Sequence, residues 1–181
     1  SSLILSVEAK DEYTAGHSQR VMEYSLEIGK KMNFSEGQLA ILRNACLLHD
    51  VGKIGIPDSI LHKVEKLTEE EWAVIKKHPQ SGVEILSPLD FLEKEKLLIL
   101  HHHERYNGSG YPEGLKEENI PEGSRIMCLA DAYDAMKSNR PYRAPLITYA
   151  IIQEIIKNSG TQFDPKIVNI FLELIEEWHK I

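Results

Sequence analysis

Apolar residues recur at steps of three and four along most of this 181-residue chain. Alternating runs of β-branched residues and Asn-Gly turns, which are typical of strands and hairpins, are nearly absent. The pattern therefore predicts an all-α fold. The length fits one domain with a substantial core, so we expect a single functional site.

Two capping boxes mark helix starts. Ser35 is followed three residues later by Gln38, and Thr68 is followed three residues later by Glu71. In such a pair each side chain accepts a hydrogen bond from the backbone of the other residue, which satisfies two amides of the first turn. We expect one helix to begin after Ser35 and another after Thr68.

Proline and glycine divide the rest of the chain. Pro79 suits the first position of a helix, which leaves His78 in an interhelical turn. Residues 106–123 hold several glycines and prolines with little periodicity, which predicts a long ordered loop, a kind that is uncommon unless functional. Further helices are predicted over residues 125–137, 146–158 and 165–178.

Composition narrows the function classes. The net charge of -7 gives no general attraction for duplex nucleic acid, so phosphate would have to be held locally. No segment has the length or layout needed for insertion into a membrane. Cys46 and Cys128 lie in apolar helical surroundings, which indicates reduced core thiols in a cytoplasmic protein. Residues 1–12 are interpreted as a linker or the end of an upstream helix, and residues 13–181 as the domain.

Five histidines and two aspartates are candidate metal ligands. His49 lies at helical steps from the apolar residues before it, so it points inward with Asp50 beside it. His17 and Asp131 lie on similar apolar stripes. Alone, each would more often be a structural residue than a ligand. Together they are best explained by one shared site, whose members are His17, His49, Asp50, His78, His102, His103 and Asp131.

The ligand types indicate the metal and its chemistry. Imidazole and carboxylate without a C-x-x-C motif favour iron or manganese over structural zinc. Seven ligands exceed what one ion accepts, which predicts two divalent ions that share a carboxylate and a hydroxide nucleophile, as in phosphodiester cleavage. Lys53, one turn beyond Asp50, would stabilise developing charge or protonate the leaving oxygen. Without the neighbouring His-Asp pair, a solvated surface lysine would be the preferred interpretation.

The motifs resemble those of the HD-GYP family. The likeness covers nearly the whole chain and is carried by His49-Asp50-Val51-Gly52-Lys53, His102-His103-Glu104, Gly108-Ser109-Gly110-Tyr111-Pro112, Asp131-Ala132-Tyr133-Asp134 and Asn139-Arg140-Pro141-Tyr142-Arg143. The resemblance implies a bacterial cyclic di-GMP phosphodiesterase with an all-α HD-domain helical bundle and a Gly/Pro loop near the metal site. The products would be pGpG, GMP or both.

The resemblance also implies roles for individual residues. His17, His49, Asp50 and Asp131 would hold one metal and His78, His102 and His103 the other, with Asp50 as the bridge. Catalytic roles fall to Asp50 and Lys53. On the substrate side, Arg140 and Arg143 would grip phosphate or guanine edges, and Gly110, Tyr111 and Pro112 would face the substrate or a partner protein.

Several alternatives stay open on the sequence. Tyr13 stands where three-metal members carry Glu, which favours two metals, although Glu12 keeps a third metal open. Another HD-superfamily nucleotide phosphohydrolase is one rival. A catalytically silent module that binds cyclic di-GMP, or a diguanylate cyclase domain through the Gly-Tyr-Pro loop, is another. A homodimer is also compatible with the sequence.

Overall fold

The computed structural model describes residues 16–138 and 148–178, and within them the chain forms helices and loops without a β-strand. The α-helices of the described residues are α1 His17–Lys31, α2 Glu36–Leu48, α3 Asp58–Leu61, α4 Glu69–Ile75, α5 His78–Leu86, α6 Glu93–His101, α7 Glu122–Lys137, α8 Thr148–Lys157 and α9 Pro165–Trp178. Short 3-10 helices lie at Val51–Gly55, Asp90–Leu92 and Glu117–Asn119. The predicted all-α class is confirmed.

The capping boxes form as predicted. The Ser35 side chain accepts a hydrogen bond from the Gln38 backbone, and the Gln38 side chain accepts one from the Ser35 N–H. Thr68 and Glu71 exchange the same two bonds at the start of α4. Such caps are worth about 1 kcal/mol each.

Two predicted boundaries were wrong. His78 is the first residue of α5 and not part of a turn, because proline is accepted at either of the first two helical positions and Pro79 takes the second. Helix α7 begins at Glu122, three residues before the predicted start. Gly123 was interpreted as a loop residue, but it lies within α7, where a Cβ would meet the Leu98 side chain at 2.7 Å.

The helices pack into a bundle around one core. Helix α1 packs against α2 and α7, and α6 packs against α2 and α5. Val21, Leu42, Ile99 and Met127, one from each of four helices, are almost fully buried. Each such side chain contributes roughly 1.5 to 3 kcal/mol on burial. None of the described helices has the length and apolar character needed to cross a membrane.

A glycine brings the segment after α2 against α5. A Cβ on Gly52 would lie 1.9 Å from the carbonyl oxygen of His78 and 2.6 Å from the backbone nitrogen of Gly82. Only glycine allows so close a backbone approach. The contact fixes the position of Val51–Gly55, and therefore of the residues on either side of Gly52, relative to His78.

Candidate functional site

The carboxylate of Asp50 lies between two groups of histidines. The first group consists of His17, His49 and Asp50, and the second consists of His78, His102 and His103. Within each group the potential ligand atoms lie within 4.8 Å of one another. Asp50 Oδ2 is 3.5 Å from His49 Nε2 and 4.0 Å from His17 Nε2. Asp50 Oδ1 is 3.6 Å from His78 Nε2. One carboxylate oxygen therefore faces each group.

Backbone carbonyls fix the tautomer of three of these histidines. In each case Nδ1 lies against the carbonyl oxygen of the residue three positions earlier, and the pairs are His49 with Cys46 at 2.7 Å, His78 with Ile75 at 2.8 Å and His102 with Ile99 at 2.6 Å. A carbonyl only accepts, so Nδ1 carries the proton. The Nε2 lone pair is left for the centre of the site, as in metal-binding histidines.

His17 is held by carboxylates on both nitrogens. Its Nδ1 is 2.8 Å from Asp134 Oδ2 and its Nε2 is 3.2 Å from Asp131 Oδ1. Burial disfavours the charged ring, but the hydrogen bonds to Asp131 and Asp134 outweigh it and raise the pKa of His17 to about 9. Arg20 holds Asp134 through Nε at 2.6 Å and Nη2 at 3.0 Å.

The roles of Asp134 and Arg20 were missed from the sequence. Each lies three residues after a predicted ligand on the same helical face, Asp134 after Asp131 and Arg20 after His17. That spacing was a signal for a hydrogen-bonded support beneath the ligand. Burial opposes ionisation of Asp134, but His17 and Arg20 lower its pKa, so it is an anion that accepts from the imidazole.

Apart from His17, which the two carboxylates hold protonated in the metal-free site, the groups with shifted pKa values are in the protonation states of metal ligands. Burial favours the neutral form of Asp50, yet the Lys53 ammonium, 2.7 Å from Oδ2, and the nearby imidazoles hold its pKa well below the usual range. Burial, followed by repulsion from His78, lowers the pKa of His103 to about 3. Burial also lowers the pKa of His78 and His102. Neutral imidazoles beside an ionised carboxylate are the donor set that divalent transition metals bind.

The loop after α6 folds back onto the histidines. A Cβ on Gly110 would lie 2.3 Å from the backbone nitrogen of Arg105, so glycine is required there. The buried Glu104 carboxylate accepts hydrogen bonds from the backbone N–H groups of Glu113 and Gly114 at 2.8 and 3.0 Å. The Tyr111–Pro112 peptide bond is cis. These contacts place the Tyr111 ring 5.0 Å from the His103 ring.

The same loop is anchored at its start. Asn107 donates its backbone N–H to the Thr161 carbonyl at 2.9 Å. Its side-chain oxygen accepts from the N–H and hydroxyl of Ser109 at 3.0 and 2.7 Å. The loop is therefore tied to the segment between α8 and α9 as well as to its own backbone.

A cavity of about 650 Å³ opens beside the histidines. The loop after α6 lines it with His103, Arg105 and Tyr111, and Glu69, Trp72 and Lys76 line it from α4 and the residue that follows α4. The volume is within the range of small-molecule sites, roughly 300 to 1,000 Å³. Sequence reasoning placed Tyr111 near the substrate, but it did not find the residues of α4 that complete the cavity.

The remaining sequence-predicted residues have different outcomes. Lys53 contacts Asp50 as described above, and Gly110 and Pro112 flank Tyr111 in the folded loop. Arg140 and Arg143, together with residues 1–12, lie outside the described residues. His101 is buried but belongs to neither histidine group.

Known proteins share this sequence pattern. The HD domain family model matches residues 3–167. The chain belongs to the HD-domain family. The membership predicted from the motif around His49 and Asp50 is thus confirmed.

Two curated relatives of this HD domain are named phosphodiesterases. The 3'3'-cGAMP-specific phosphodiesterase 2 of Vibrio cholerae is 40% identical over 98% of this chain and 34% of its own length. The cyclic di-GMP phosphodiesterase of Thermotoga maritima is 42% identical over 94% of this chain and 47% of its own length. The chain therefore spans between a third and a half of the length of these relatives.

Solved structures share the fold of this HD domain. A cyclic GMP-AMP specific phosphodiesterase of V. cholerae superposes with a TM-score of 0.75 at 25% identity, over 97% of this chain and 47% of that one. The HD domain of the L. monocytogenes phosphodiesterase PgpH superposes with a TM-score of 0.64 at 17% identity, over 93% and 92% of the two chains. The second likeness concerns the fold alone.

Proposed function

We propose that this HD domain is a metal-dependent phosphodiesterase that hydrolyses cyclic di-GMP. The observation that carries the proposal is the position of Asp50, whose two oxygens face two separate groups of histidines. Relatives named as cyclic di-GMP phosphodiesterases support the substrate class. An arrangement with one carboxylate between two imidazole groups suits a pair of ions that act on one phosphodiester.

The proposed ligands divide between two ions. His17, His49 and Asp131 would complete the first site, His78, His102 and His103 the second, and Asp50 would bridge them. We expect iron in the cell, with manganese as the alternative, because nitrogen and carboxylate donors without thiolate suit both. When bound, such ions supply a nucleophile from water at neutral pH and neutralise phosphoryl oxygens.

The chain's own residues would position the substrate and move protons. Lys53 lies 2.7 Å from Asp50 Oδ2, at the edge of the site, where its ammonium would stabilise charge on the leaving oxygen or protonate that oxygen. Tyr111 beside His103 would pack against the substrate. Arg140 and Arg143 would hold phosphate or a guanine edge by charge-assisted hydrogen bonds.

A second substrate has a specific observation in its favour. The relative that is 40% identical over 98% of this chain is named for 3'3'-cGAMP, and the structural neighbour with a TM-score of 0.75 is named for cyclic GMP-AMP. That dinucleotide carries one guanine and one adenine, and its two phosphodiesters match those of cyclic di-GMP. We place cyclic di-GMP first because more relatives carry its name.

The test is hydrolysis by metal-loaded protein. The domain is purified without oxygen, loaded with iron or manganese, and incubated in turn with cyclic di-GMP and 3'3'-cGAMP. The linear dinucleotide and mononucleotide products of each substrate are separated by chromatography. Faster turnover of cyclic di-GMP supports the proposal, and faster turnover of 3'3'-cGAMP replaces the substrate. No turnover of either, with two metals bound, would favour a silent module that binds a cyclic dinucleotide or a cyclase domain.

A further inference from the structure

One face of helix α4 forms a wall of the cavity beside the candidate metal site. Glu69, Trp72 and Lys76 follow one another at steps of three and four, so they lie on the same side of the helix. All three line the cavity that His103 and Tyr111 also line. A ligand with a phosphate at the histidines would therefore extend toward α4.

Glu69 differs from the two glutamates that follow it. Glu71 completes the cap with Thr68 and forms an ion pair with Lys63 at 2.7 Å. The Glu70 carboxyl has its pKa lowered by its own backbone N–H and by the Thr68 side chain. Glu69 forms no hydrogen bond or ion pair with any residue that the structure describes. Its two acceptor oxygens are thus available to a ligand in the cavity.

Trp72 provides an aromatic surface at the cavity. Its side chain is 47% exposed, although a large apolar ring loses favourable free energy when it faces water. No other aromatic ring contacts it among the described residues. Exposed aromatic rings beside phosphate-binding groups are the usual platforms on which nucleobases stack.

Positive charge offsets the carboxylate. Lys76 and Arg105 also line the cavity, and Lys76 Nζ lies 5.8 Å from the centre of the Tyr111 ring. A dianionic dinucleotide would be repelled by Glu69 alone. The two cations nearby would offset that repulsion, so the carboxylate does not exclude an anionic ligand from the cavity.

We propose that this wall is a guanine-selective base site, in which Trp72 stacks on the base and Glu69 accepts hydrogen bonds from its N1–H and its exocyclic amino group. The inference rests on the proposed cyclic di-GMP hydrolysis and assigns its base specificity. Adenine has a lone pair at N1, where guanine has N1–H. That lone pair would face the carboxylate without a hydrogen bond. A site built to pair donors rejects a base that lacks them.

The test compares substrates in metal-loaded protein. Glu69→Gln keeps the size of the side chain, and Glu70→Gln on the same helix is its matched control. Trp72→Ala removes the platform, and Phe91→Ala, an exposed aromatic away from the cavity, is its control. For each variant kcat/KM is measured on cyclic di-GMP, cyclic di-AMP and bis(p-nitrophenyl) phosphate, a phosphodiester with no nucleobase.

We expect Glu69→Gln to lower kcat/KM for cyclic di-GMP by roughly ten- to a hundredfold and to reduce its preference over cyclic di-AMP, since hydrogen bonds to a charged group are lost. Trp72→Ala should lower kcat/KM for both dinucleotides by a similar factor. The effect of Glu69→Gln on bis(p-nitrophenyl) phosphate, which has no base edge to donate hydrogen bonds, should be much smaller than its effect on cyclic di-GMP, and both controls should match the parent.

The experiment distinguishes failure of the proposed base site from failure of the proposed function. Unchanged kcat/KM for cyclic di-GMP in Glu69→Gln and Trp72→Ala would overturn the base site and leave the proposed function intact. A parent that cleaves bis(p-nitrophenyl) phosphate but neither dinucleotide would overturn the proposed substrate, and the base site with it.

Discussion

At the scale of single residues, the candidate metal ligands were predicted from the sequence, whereas the residues that hydrogen-bond to them were not. His17, His49 and Asp131 could be found because each lies on an inward stripe of its helix, where an unpaired polar group is costly. Asp134 and Arg20 form the hydrogen bonds beneath His17. Their spacing of three residues from Asp131 and His17 is visible in the sequence, but ordinary surface ion pairs have the same spacing, so it does not identify the support by itself. That distinction requires the packing of α1 against α7.

The raised pKa of His17 predicts how the stability of the metal-free domain changes with pH. Because the pKa is about 9 in the folded protein, the folded state holds the proton more tightly than the unfolded chain. The stabilisation is complete below the unfolded pKa of about 6.5 and is lost as the pH rises through about 9. The free-energy advantage of the parent over His17→Gln should fall by on the order of 2 kcal/mol between about pH 6.5 and 8.5.

Urea unfolding of both proteins in chelator, at the two pH values, measures this difference. The comparison with His17→Gln is needed because His78, His102 and His103, whose pKa values are lowered, change stability in the opposite direction near neutral pH. An advantage that stays constant with pH would show that the Asp131 and Asp134 contacts do not hold a proton on His17.

Lys53 offers a kinetic prediction at the same scale. Its ammonium is proposed to act on charge that develops in the transition state, so Lys53→Ala should lower kcat by about 100-fold and change KM less. Steady-state kinetics on cyclic di-GMP, with metal content checked, gives the answer. Lys53→Arg keeps the charge and should retain more activity than Lys53→Ala. A rise in KM with kcat unchanged would assign Lys53 to ground-state binding.

At the scale of elements, the capping boxes gave correct helix starts because both hydrogen-bonding partners lie within one turn of sequence. The start of α7 was missed because Gly123 was interpreted as a loop residue. Glycine is needed there because the backbone of α7 packs closely against Leu98 of α6, a contact that the local sequence does not show. The face of α4 toward the cavity was missed for a related reason. The residues of α4 line a cavity only together with the loop that carries Tyr111, which is distant from them in sequence.

The contact between the 3-10 helix Val51–Gly55 and α5 can be tested with a single methyl group. The Cβ of Gly52→Ala would overlap the His78 carbonyl oxygen, so Asp50 and His78 must move apart. We expect a loss of about 1 to 3 kcal/mol in the free energy of unfolding, as for other overpacked sites, and weaker metal binding. Gly55→Ala is the matched control, since its Cβ would meet nothing within 4 Å.

Urea unfolding and metal quantification on both glycine variants provide the measurement. Equal stability and equal metal content in Gly52→Ala and Gly55→Ala would mean that the close backbone approach does not position the site.

The segment that carries Arg140 and Arg143 follows α7 and is proposed to grip the substrate. Replacing either arginine with alanine should lower kcat/KM for cyclic di-GMP by roughly 10- to 100-fold, because a charge-assisted hydrogen bond is lost. Metal content should stay at the parent value. Arg43→Ala, an exposed arginine of α2, is the control. Unchanged kcat/KM in both variants would remove these residues from the substrate site.

At the scale of the whole molecule, the class of fold followed from periodicity and the family from the motifs. The assembly of the site did not follow from either. Sequence reasoning could propose that seven ligands share one place, whereas the structure shows His17, His49, Asp50, His78, His102 and His103 in two adjoining groups with one carboxylate between them. That geometry depends on α1, α2, α5 and α6 meeting at one end of the bundle.

The central claim is that Asp50 joins two metal sites that act together on one phosphodiester. The most direct measurement is the number of metal ions per chain, with cyclic di-GMP turnover in the same anaerobically loaded samples, for the parent and for Asp50→Ala. We expect two ions and turnover in the parent, and loss of both in the variant, because the shared ligand is removed. One ion or none in an active parent, or an Asp50→Ala variant that keeps two ions and turnover, would contradict it.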